Sequence, residues 1–176
     1  PRGGRAARWD GGTAQGGVSL LEADTAIVHL AGENIAQGRW TAAKKRRIRD
    51  SRVVSGQAVM DAIREAPVKP RVLIQGSAVG YYGPRGDEAV PEDTPPGRDF
   101  LSAVCQEWEA STAGSESLGV RRAVARTGIV LAREGGALPA MSLPFKMMIG
   151  GPIGDGRQWF PWIHIDDEVG ALRFLL

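Results

Sequence analysis

The residues best suited to chemistry are a serine and two tyrosines that follow an apolar run at 72–74. Ser77 comes just after this run, and Tyr81 and Tyr82 follow it closely. A hydroxyl can polarise a carbonyl group, and a phenol can donate a proton to it. Open α/β sheets bind ligands at the carboxyl ends of their strands. We therefore interpret residues 72–83 as a strand that leads into a catalytic or binding segment. The alternative is a core strand whose tyrosines only pack.

Other kinds of reactive site lack the necessary residues. Two histidines and one cysteine are too few for a His/Cys metal centre, so no metal is predicted. The sequence contains no Gly-x-Ser-x-Gly elbow, and neither a P-loop nor a Gly-x-Gly-x-x-Gly turn opens a helix after a strand. The acidic pair Asp166-Asp167 is better explained by the start of a helix, where carboxylates are favourable.

Composition limits the class of protein. A length of 176 residues suggests one domain, and a net charge of +2 gives no reason to expect a nucleic-acid partner. A single cysteine, Cys105, excludes an internal disulfide framework and favours a reducing compartment, so we expect a cytoplasmic protein. No apolar run approaches the ~18 residues of a membrane span. No secretory signal peptide is visible at the basic N-terminus.

Strand and helix patterns alternate along the chain. The apolar runs at 26–32 and 72–74 lack an alternating polar face, which is typical of strands buried on both faces of a parallel sheet. A further strand is predicted within 120–131, most clearly at 129–131, and an extended aromatic segment at 159–167. Helical patterns separate these strands. This order predicts an α/β fold with a doubly wound parallel sheet.

Several local signals mark the helices and loops. Thr41 is a predicted N-cap of a helix that ends before Pro67, and residues 100–111 have an apolar stripe at four-residue spacing. A short helix is predicted at 139–148, with a break at Pro144. The remaining predictions are loops: residues 1–17, a Gly-rich turn at 150–156, and a Pro/Gly/acid segment at 83–98 that is long enough to suggest a functional lid.

Two charged features have competing interpretations. The basic cluster at 44–52 could bind phosphate or nucleic acid, but no aromatic side chains are interleaved with it. We therefore favour a solvated helix face. His29 lies inside an apolar run, where a core histidine with a satisfied ring is favoured over a catalytic one.

A set of short motifs occurs in order from about residue 24 onward. These motifs are Leu-Ala-Gly-Glu-Asn-Ile at 30–35, Arg39-Trp40, Ser51-Arg52, Ser-Ala-Val-Gly-Tyr-Tyr-Gly at 77–83, Gly-Gly-Pro-Ile-Gly-Asp-Gly at 150–156, and Phe-Pro-Trp-Ile-His at 160–164. The ordered set resembles the extended short-chain dehydrogenase/reductase family. It is most similar to the atypical "epimerase family" branch, whose members are also called nucleoside-diphosphate-sugar epimerases.

The resemblance implies a Rossmann-like domain that binds NADP, with NAD as the alternative. Small residues at the strand ends would let the backbone approach the nicotinamide half closely. It also implies a fragment that lacks the N-terminal glycine-rich motif and a C-terminal domain. Residues 1–176 would then be a partial NAD(P)-binding domain, incomplete at both ends, with its substrate side beginning at about 139–165. The implied cofactor contacts are Leu30, Ala31, Gly32, Gly76, Ser77, Ala78, Thr127, Gly128 and Ile129.

The chain departs from the family's catalytic pattern at three places. Phe100 and Val104 occupy the positions of the family's tyrosine and lysine, and neither can transfer a proton. The family's catalytic Ser/Thr position falls on Ala78, so Ser77 comes one residue early. Phe160 stands where nucleotide-sugar enzymes place a phosphate-binding arginine.

These departures leave two functions open. The first is an NADP-dependent oxidoreductase or epimerase-like enzyme with a small carbonyl, hydroxyl or nucleotide-sugar substrate. In this enzyme Ser77 would polarise the carbonyl and Tyr81 would donate the proton. The competing interpretation is that both tyrosines only pack under the lid loop. The second is an NADP-binding sensor or scaffold without turnover. Phe160, Trp162 and His164 are candidate substrate contacts, with anchoring of a further domain as the alternative for the aromatic segment. We expect no nucleic-acid or membrane partner, and a homodimer is compatible with the resemblance.

Overall fold

The computed structural model describes residues 8–152 and 154–176. Residues 1–7 of the loop predicted at 1–17, and Ile153 of the turn predicted at 150–156, lie outside the described residues. The elements are β1 (Ala26–His29), α1 (Ala42–Glu65), β2 (Val72–Ala78), α2 (Phe100–Ala110), β3 (Arg121–Thr127), β4 (Ile129–Leu131), α3 (Ala137–Lys146), β5 (Trp162–His164) and α4 (Ile165–Leu175), with short 3₁₀ turns at Val18–Leu20, Val79–Tyr82 and Ala113–Leu118.

Every pair of neighbouring strands in the described part of the chain is parallel. β1, β2 and β3 form one sheet in that order, and β4 and β5 form a second sheet of two strands. In the first sheet His29 lies opposite Gln75, and Ala78 lies opposite Thr127. Helices connect and flank the strands, because parallel neighbours need a crossover between them. The predicted parallel α/β class is therefore confirmed.

Helix α1 begins and ends where the sequence predicts. The Thr41 side chain accepts a hydrogen bond from the Lys44 backbone N–H, which satisfies one of the free donors of the first turn. The helix ends at Glu65, just before Pro67. Its inward face packs Met60 and Ile63 against Leu73 of β2 and Val120, and all four are buried. This cluster fixes α1 against the sheet.

The strand predicted within 120–131 is present as two strands, and the predicted break at Pro144 is wrong. The strand expected most clearly at 129–131 is short, and the longer strand of that region is β3, which begins earlier and pairs with β2 along its whole length. β3 has three arginines and half-buried side chains, so hydropathy alone does not mark it. Helix α3 also continues past Pro144 to Lys146. Proline removes only one backbone hydrogen bond there, in the last turn of the helix.

His29 is a core residue, as its apolar surroundings indicate. His29 is 4% exposed. Its Nε2 atom lies 3.3 Å from the Ser55 hydroxyl, and its ring meets the Trp108 ring edge to face. Burial lowers the pKa of His29 from 6.5 to about 4, although an interaction with the Arg52 backbone opposes the shift. The imidazole is therefore neutral in the folded protein at neutral pH.

We expect His29 to make the free energy of unfolding depend on pH. Because the unfolded ring titrates near 6.5 and the folded ring near 4, protonation favours unfolding as the pH falls through this window. Between pH 7 and pH 4.5 we expect wild type to lose about 2 kcal/mol more of its free energy of unfolding than His29→Gln. Urea unfolding of both proteins at both pH values measures it, and the other titrating groups cancel in the difference. Equal pH dependence in the two proteins would contradict the assignment.

No helix in the described part of the chain is both long enough and apolar enough to cross a membrane.

Candidate functional site

The carboxyl ends of β1, β2 and β3 meet at one edge of the sheet. Because His29 is opposite Gln75, the next residues, Leu30 and Gly76, are neighbours. A Cβ atom built on Gly76 would lie 3.2 Å from Leu30 Cδ2 and 2.9 Å from the His29 carbonyl oxygen. On the other side Ala78 pairs with Thr127. The three groups of predicted cofactor contacts are thus at the same edge, while their role toward a cofactor stays a prediction.

A tight backbone approach also occurs after β3. A Cβ atom on Gly128 would lie 2.9 Å from the Pro161 carbonyl oxygen, and the Ile129 N–H donates to that same oxygen. The Thr127 hydroxyl donates to Glu168 at 2.9 Å, at the start of α4. These contacts connect the edge of the first sheet to the second sheet.

The loop that follows β1 is held by the basic face of α1. The Glu33 carboxylate accepts from Lys44 Nζ at 2.7 Å and pairs with Arg47, while the Glu33 N–H donates to the Ser51 hydroxyl. The hydrogen bond from Lys44 holds the pKa of Glu33 below its usual value. Lys44 is only 6% exposed. The interpretation of this cluster as a solvated helix face is therefore wrong at Lys44, because the loop turns back over the helix.

Arg52 also holds the loop that follows β1. Its Nη1 donates to the carbonyl oxygens of Glu33 and Ile48, and its guanidinium lies 5.1 Å from the centre of the Trp108 ring. A Cβ atom on Gly32 would come within 2.9 Å of the Arg52 Cζ atom, so a glycine leaves room for the arginine. Burial lowers the pKa of Arg52. The cluster at 44–52 thus shapes the loop at the strand edge.

Ser77 is not free at this edge. It is 6% exposed, and its hydroxyl donates to Glu109 Oε1 of α2 at 2.6 Å. The neighbouring Cys105 thiol is buried, which raises its pKa. The polarising role predicted for Ser77 would require its hydroxyl to leave Glu109, and it stays a prediction.

Arg126 links Glu109 to the two tyrosines. Its Nε and Nη2 bind the two carboxylate oxygens of Glu109 at 2.9 and 3.0 Å, and its Nη1 donates to the Tyr82 hydroxyl at 2.9 Å and to the Glu92 carbonyl at 2.8 Å. The hydrogen bonds that Arg126 donates to the Glu109 carboxylate are the main cause that raises the pKa of Arg126. The Arg126 Cζ atom lies 3.6 Å from the centre of the Tyr81 ring.

The two tyrosines differ in what their hydroxyls can do. Tyr82 is buried, and its hydroxyl bonds to Arg126 and Glu92. Tyr81 is half-buried, and its hydroxyl has no hydrogen-bond partner in the described part of the chain. Its ring meets the Tyr82 ring edge to face, with 5.3 Å between centroids. Of the two phenols, only that of Tyr81 is free to meet a ligand.

The predicted substrate residues lie in β5 of the second sheet or, for Phe160, just before it. Phe160 and Trp162 are exposed, and His164 caps α4, with Nδ1 accepting from the Asp166 N–H at 3.2 Å. A groove of about 720 Å³ lies nearby, between the 83–90 loop and residues 157–161. Its lining includes Tyr82, Arg157 and Trp159 but none of the three predicted residues. The Trp159 indole N–H donates to Asp87 at 2.7 Å across this groove.

No described residues form a cluster of His, Cys, Asp or Glu suited to a metal ion. Sequence reasoning missed Glu109 and the bridging role of Arg126. The signal for Arg126 was present, since an arginine within a strand paired to a buried strand needs a counter-charge. Nothing in the local pattern identifies Glu109 as that partner.

Comparison with known proteins gives the family. The model of the NAD dependent epimerase/dehydratase family matches residues 19–176. The chain belongs to this family. It is 43% identical over 156 residues to the chloroplastic epimerase family protein SDR39U1 homolog of Arabidopsis thaliana, covering 88% of this chain and 44% of that protein. It is 42% identical over 171 residues to epimerase family protein SDR39U1 of Bos taurus, covering 96% and 56%.

Solved structures agree with the Rossmann-like fold. Human epimerase family protein SDR39U1, crystallised with NADPH, has a TM-score of 0.80 and 40% identity, covering 87% of this chain and 52% of that one. A nucleoside-diphosphate sugar epimerase from Corynebacterium glutamicum has a TM-score of 0.77 and 36% identity, covering 94% and 34%. The chain spans about half the length of the curated relatives it matches. Because one relative is chloroplastic, the expected cytoplasmic location stays a prediction.

Proposed function

We propose that this chain forms the nicotinamide side of an NADP-dependent oxidoreductase or epimerase-like enzyme. The observation that supports it is the edge where β1, β2 and β3 end, which brings the small residues at 31–32, 76–78 and 127–128 to one side of the sheet. A flat ring and its ribose need such small residues beneath them. NADP is favoured over NAD because the similar human protein was crystallised with NADPH.

Three short segments of the chain would hold the nicotinamide half of the cofactor. The loop at 30–32, fixed by Arg52, would pass under the ring, residues 76–78 would face it, and residues 127–129 would cover its carboxamide side. The chain contains no glycine-rich phosphate turn, so we assign it only this half of the cofactor. When bound, the nicotinamide would supply or accept hydride.

Tyr81 is our candidate proton donor. Its hydroxyl is unpartnered among the described residues, whereas that of Tyr82 is bonded to Arg126 and Glu92. Ser77 would polarise the substrate carbonyl after exchanging its bond to Glu109. Proton transfer from a positioned phenol usually contributes about 10²–10⁴-fold to a rate. The substrate would be a small carbonyl or hydroxyl compound or a nucleotide sugar, reached from the second sheet, where residues 139–165 begin the substrate side.

Tyr81→Phe tests this function. With full-length protein, NADPH oxidation is followed at 340 nm across aldehydes, ketones and nucleotide sugars. We expect kcat to fall about 100-fold in Tyr81→Phe, with little change in NADPH affinity, because only the proton donor is lost.

Tyr82→Phe is the matched control, because it removes the neighbouring phenol, which is already bonded within the protein. It should lose stability and retain most of kcat. Unchanged turnover in Tyr81→Phe would refute the proton-donor role.

The alternative is an NADP-binding sensor or scaffold without turnover. Phe100 supports this alternative, because it occupies the position of the family's tyrosine and a phenyl ring cannot transfer a proton. Its ring packs on Trp40 and beneath Lys45 Nζ. Tight NADPH binding by full-length protein, with no oxidation of any substrate in the panel, would favour this function over the enzyme.

A further inference from the structure

Arg126 connects β3 to α2 and to the segment that follows β2. Three of its nitrogens bind four acceptors, namely the two Glu109 oxygens, the Tyr82 hydroxyl and the Glu92 carbonyl. The side chains of Arg126 and Glu109 are 21% and 14% exposed. A bidentate arginine–carboxylate pair of this kind fixes the plane of the guanidinium. The pair with Glu109 therefore fixes the orientation of the Arg126 guanidinium.

The face of that plane lies against Tyr81. Cζ is 3.6 Å from the Tyr81 ring centroid and 5.1 Å from that of Tyr82. A cation over an aromatic face is attracted to it, more strongly where water is excluded. One guanidinium thus holds the ring of Tyr81 by its face and the hydroxyl of Tyr82 by a hydrogen bond. The Tyr81 hydroxyl is left unbonded by this arrangement.

The same side chain closes the loop that follows the tyrosines. Its bond to the Glu92 carbonyl ties the loop to β3. Arg85 adds bonds to the Tyr82 and Pro95 carbonyls, and the Gly97 N–H donates to the Tyr81 carbonyl. Arg126 is thus the side chain that contacts both the Tyr81 ring and the loop at 83–97, and Arg85 and Gly97 add further bonds to this segment.

We propose that Arg126 is the positioning residue of the site, which holds Tyr81 for reaction and the 83–97 loop closed, in place of the lysine that Val104 cannot supply. This proposal rests on the proposed function. The proton would pass from the Tyr81 oxygen to the substrate oxygen as hydride from NADPH reaches the carbonyl carbon. The tyrosinate would then regain a proton from water, near the positive charge of Arg126.

The chain offers a matched control in Arg122. It lies on the same strand and binds the carbonyl oxygen of Glu109 and the Thr112 hydroxyl, at 3.1 Å for the latter, but it does not touch either tyrosine. Arg122→Gln should therefore weaken the same region of the fold without moving Tyr81.

The test compares Arg126→Gln and Arg122→Gln in full-length protein. We expect Arg126→Gln to lower kcat about 100-fold, with KM and the NADPH Kd within about twofold of wild type, because a misplaced donor affects the reaction step. Without cofactor, hydrogen exchange of the bonded amides in 83–97 should become about tenfold faster in this variant only. The double variant Arg126→Gln/Glu109→Gln leaves no unpaired buried carboxylate and should behave like Arg126→Gln, which excludes an unpaired Glu109 charge as the cause.

Equal effects of the two single variants on kcat or on exchange would overturn the inference. If wild-type protein binds NADPH but turns over no substrate, the enzyme function fails instead. The exchange comparison then decides the proposal: faster exchange in Arg126→Gln alone supports the positioning of Tyr81 and the loop, and equal exchange overturns it.

Discussion

Glu109→Leu is expected to lower the free energy of unfolding by about 3 kcal/mol, because it removes the carboxylate that binds both Arg126 and Ser77. Removing one member of a buried ion pair usually costs about 3–5 kcal/mol, since the other charge remains buried and unpaired. The lower end applies here because a fifth of the Arg126 side chain is exposed. Urea unfolding at pH 7 measures the change.

Glu109→Gln is the control that keeps the shape of the side chain and removes its charge. The amide oxygen can still accept from Ser77 and from one arginine nitrogen, so we expect it to lose about half as much stability as the leucine variant. A leucine variant within about 1 kcal/mol of wild type would mean that the ion pair contributes nothing net, as some buried pairs do.

The parts of the fold that sequence predicts best are those with local causes. Thr41 marks the start of α1 through a contact three residues away, and the apolar run at 72–74 identifies β2 because burial on both faces selects such residues. β3 is less visible, since Arg122 and Arg126 interrupt its apolar residues. Those arginines are tolerated because Glu109 of α2, together with Thr112, Tyr82 and Glu92, supplies acceptors that the strand's own sequence does not reveal.

The candidate site is predicted only in part for the same reason. The strand ends at 30–32, 76–78 and 127–129 converge because parallel strands share an edge, and sequence order is enough to infer that. The pairing of Glu109 with Arg126 depends on how α2 packs over β2 and β3. The helical pattern predicts a solvated Lys44 because it carries no information about the loop that follows β1. Glu33 of that loop turns back over the helix and binds Lys44.

Gly76→Ala is expected to destabilise the protein by about 2–3 kcal/mol, although alanine is ordinarily an acceptable strand residue. The added methyl would sit 2.9 Å from the His29 carbonyl oxygen and 3.3 Å from Trp108 Cη2. The carbonyl belongs to the backbone of β1, so β1 and β2 would have to separate to admit it. Overpacking of a core by one methyl group typically costs about 1–3 kcal/mol, and a backbone neighbour places this site at the upper end.

Gly80→Ala separates this clash from any general sensitivity of the segment to substitution. A Cβ atom on Gly80 would meet only Leu101 Cβ, at an ordinary 3.8 Å. We therefore expect Gly80→Ala to stay within about 0.5 kcal/mol of wild type in the same urea titration. If both variants were equally stable, β1 and β2 would have to be more loosely joined at this edge than their contacts indicate. If Gly76→Ala alone is destabilised, the closeness of the two strands is the reason that a glycine stands where the nicotinamide is proposed to bind.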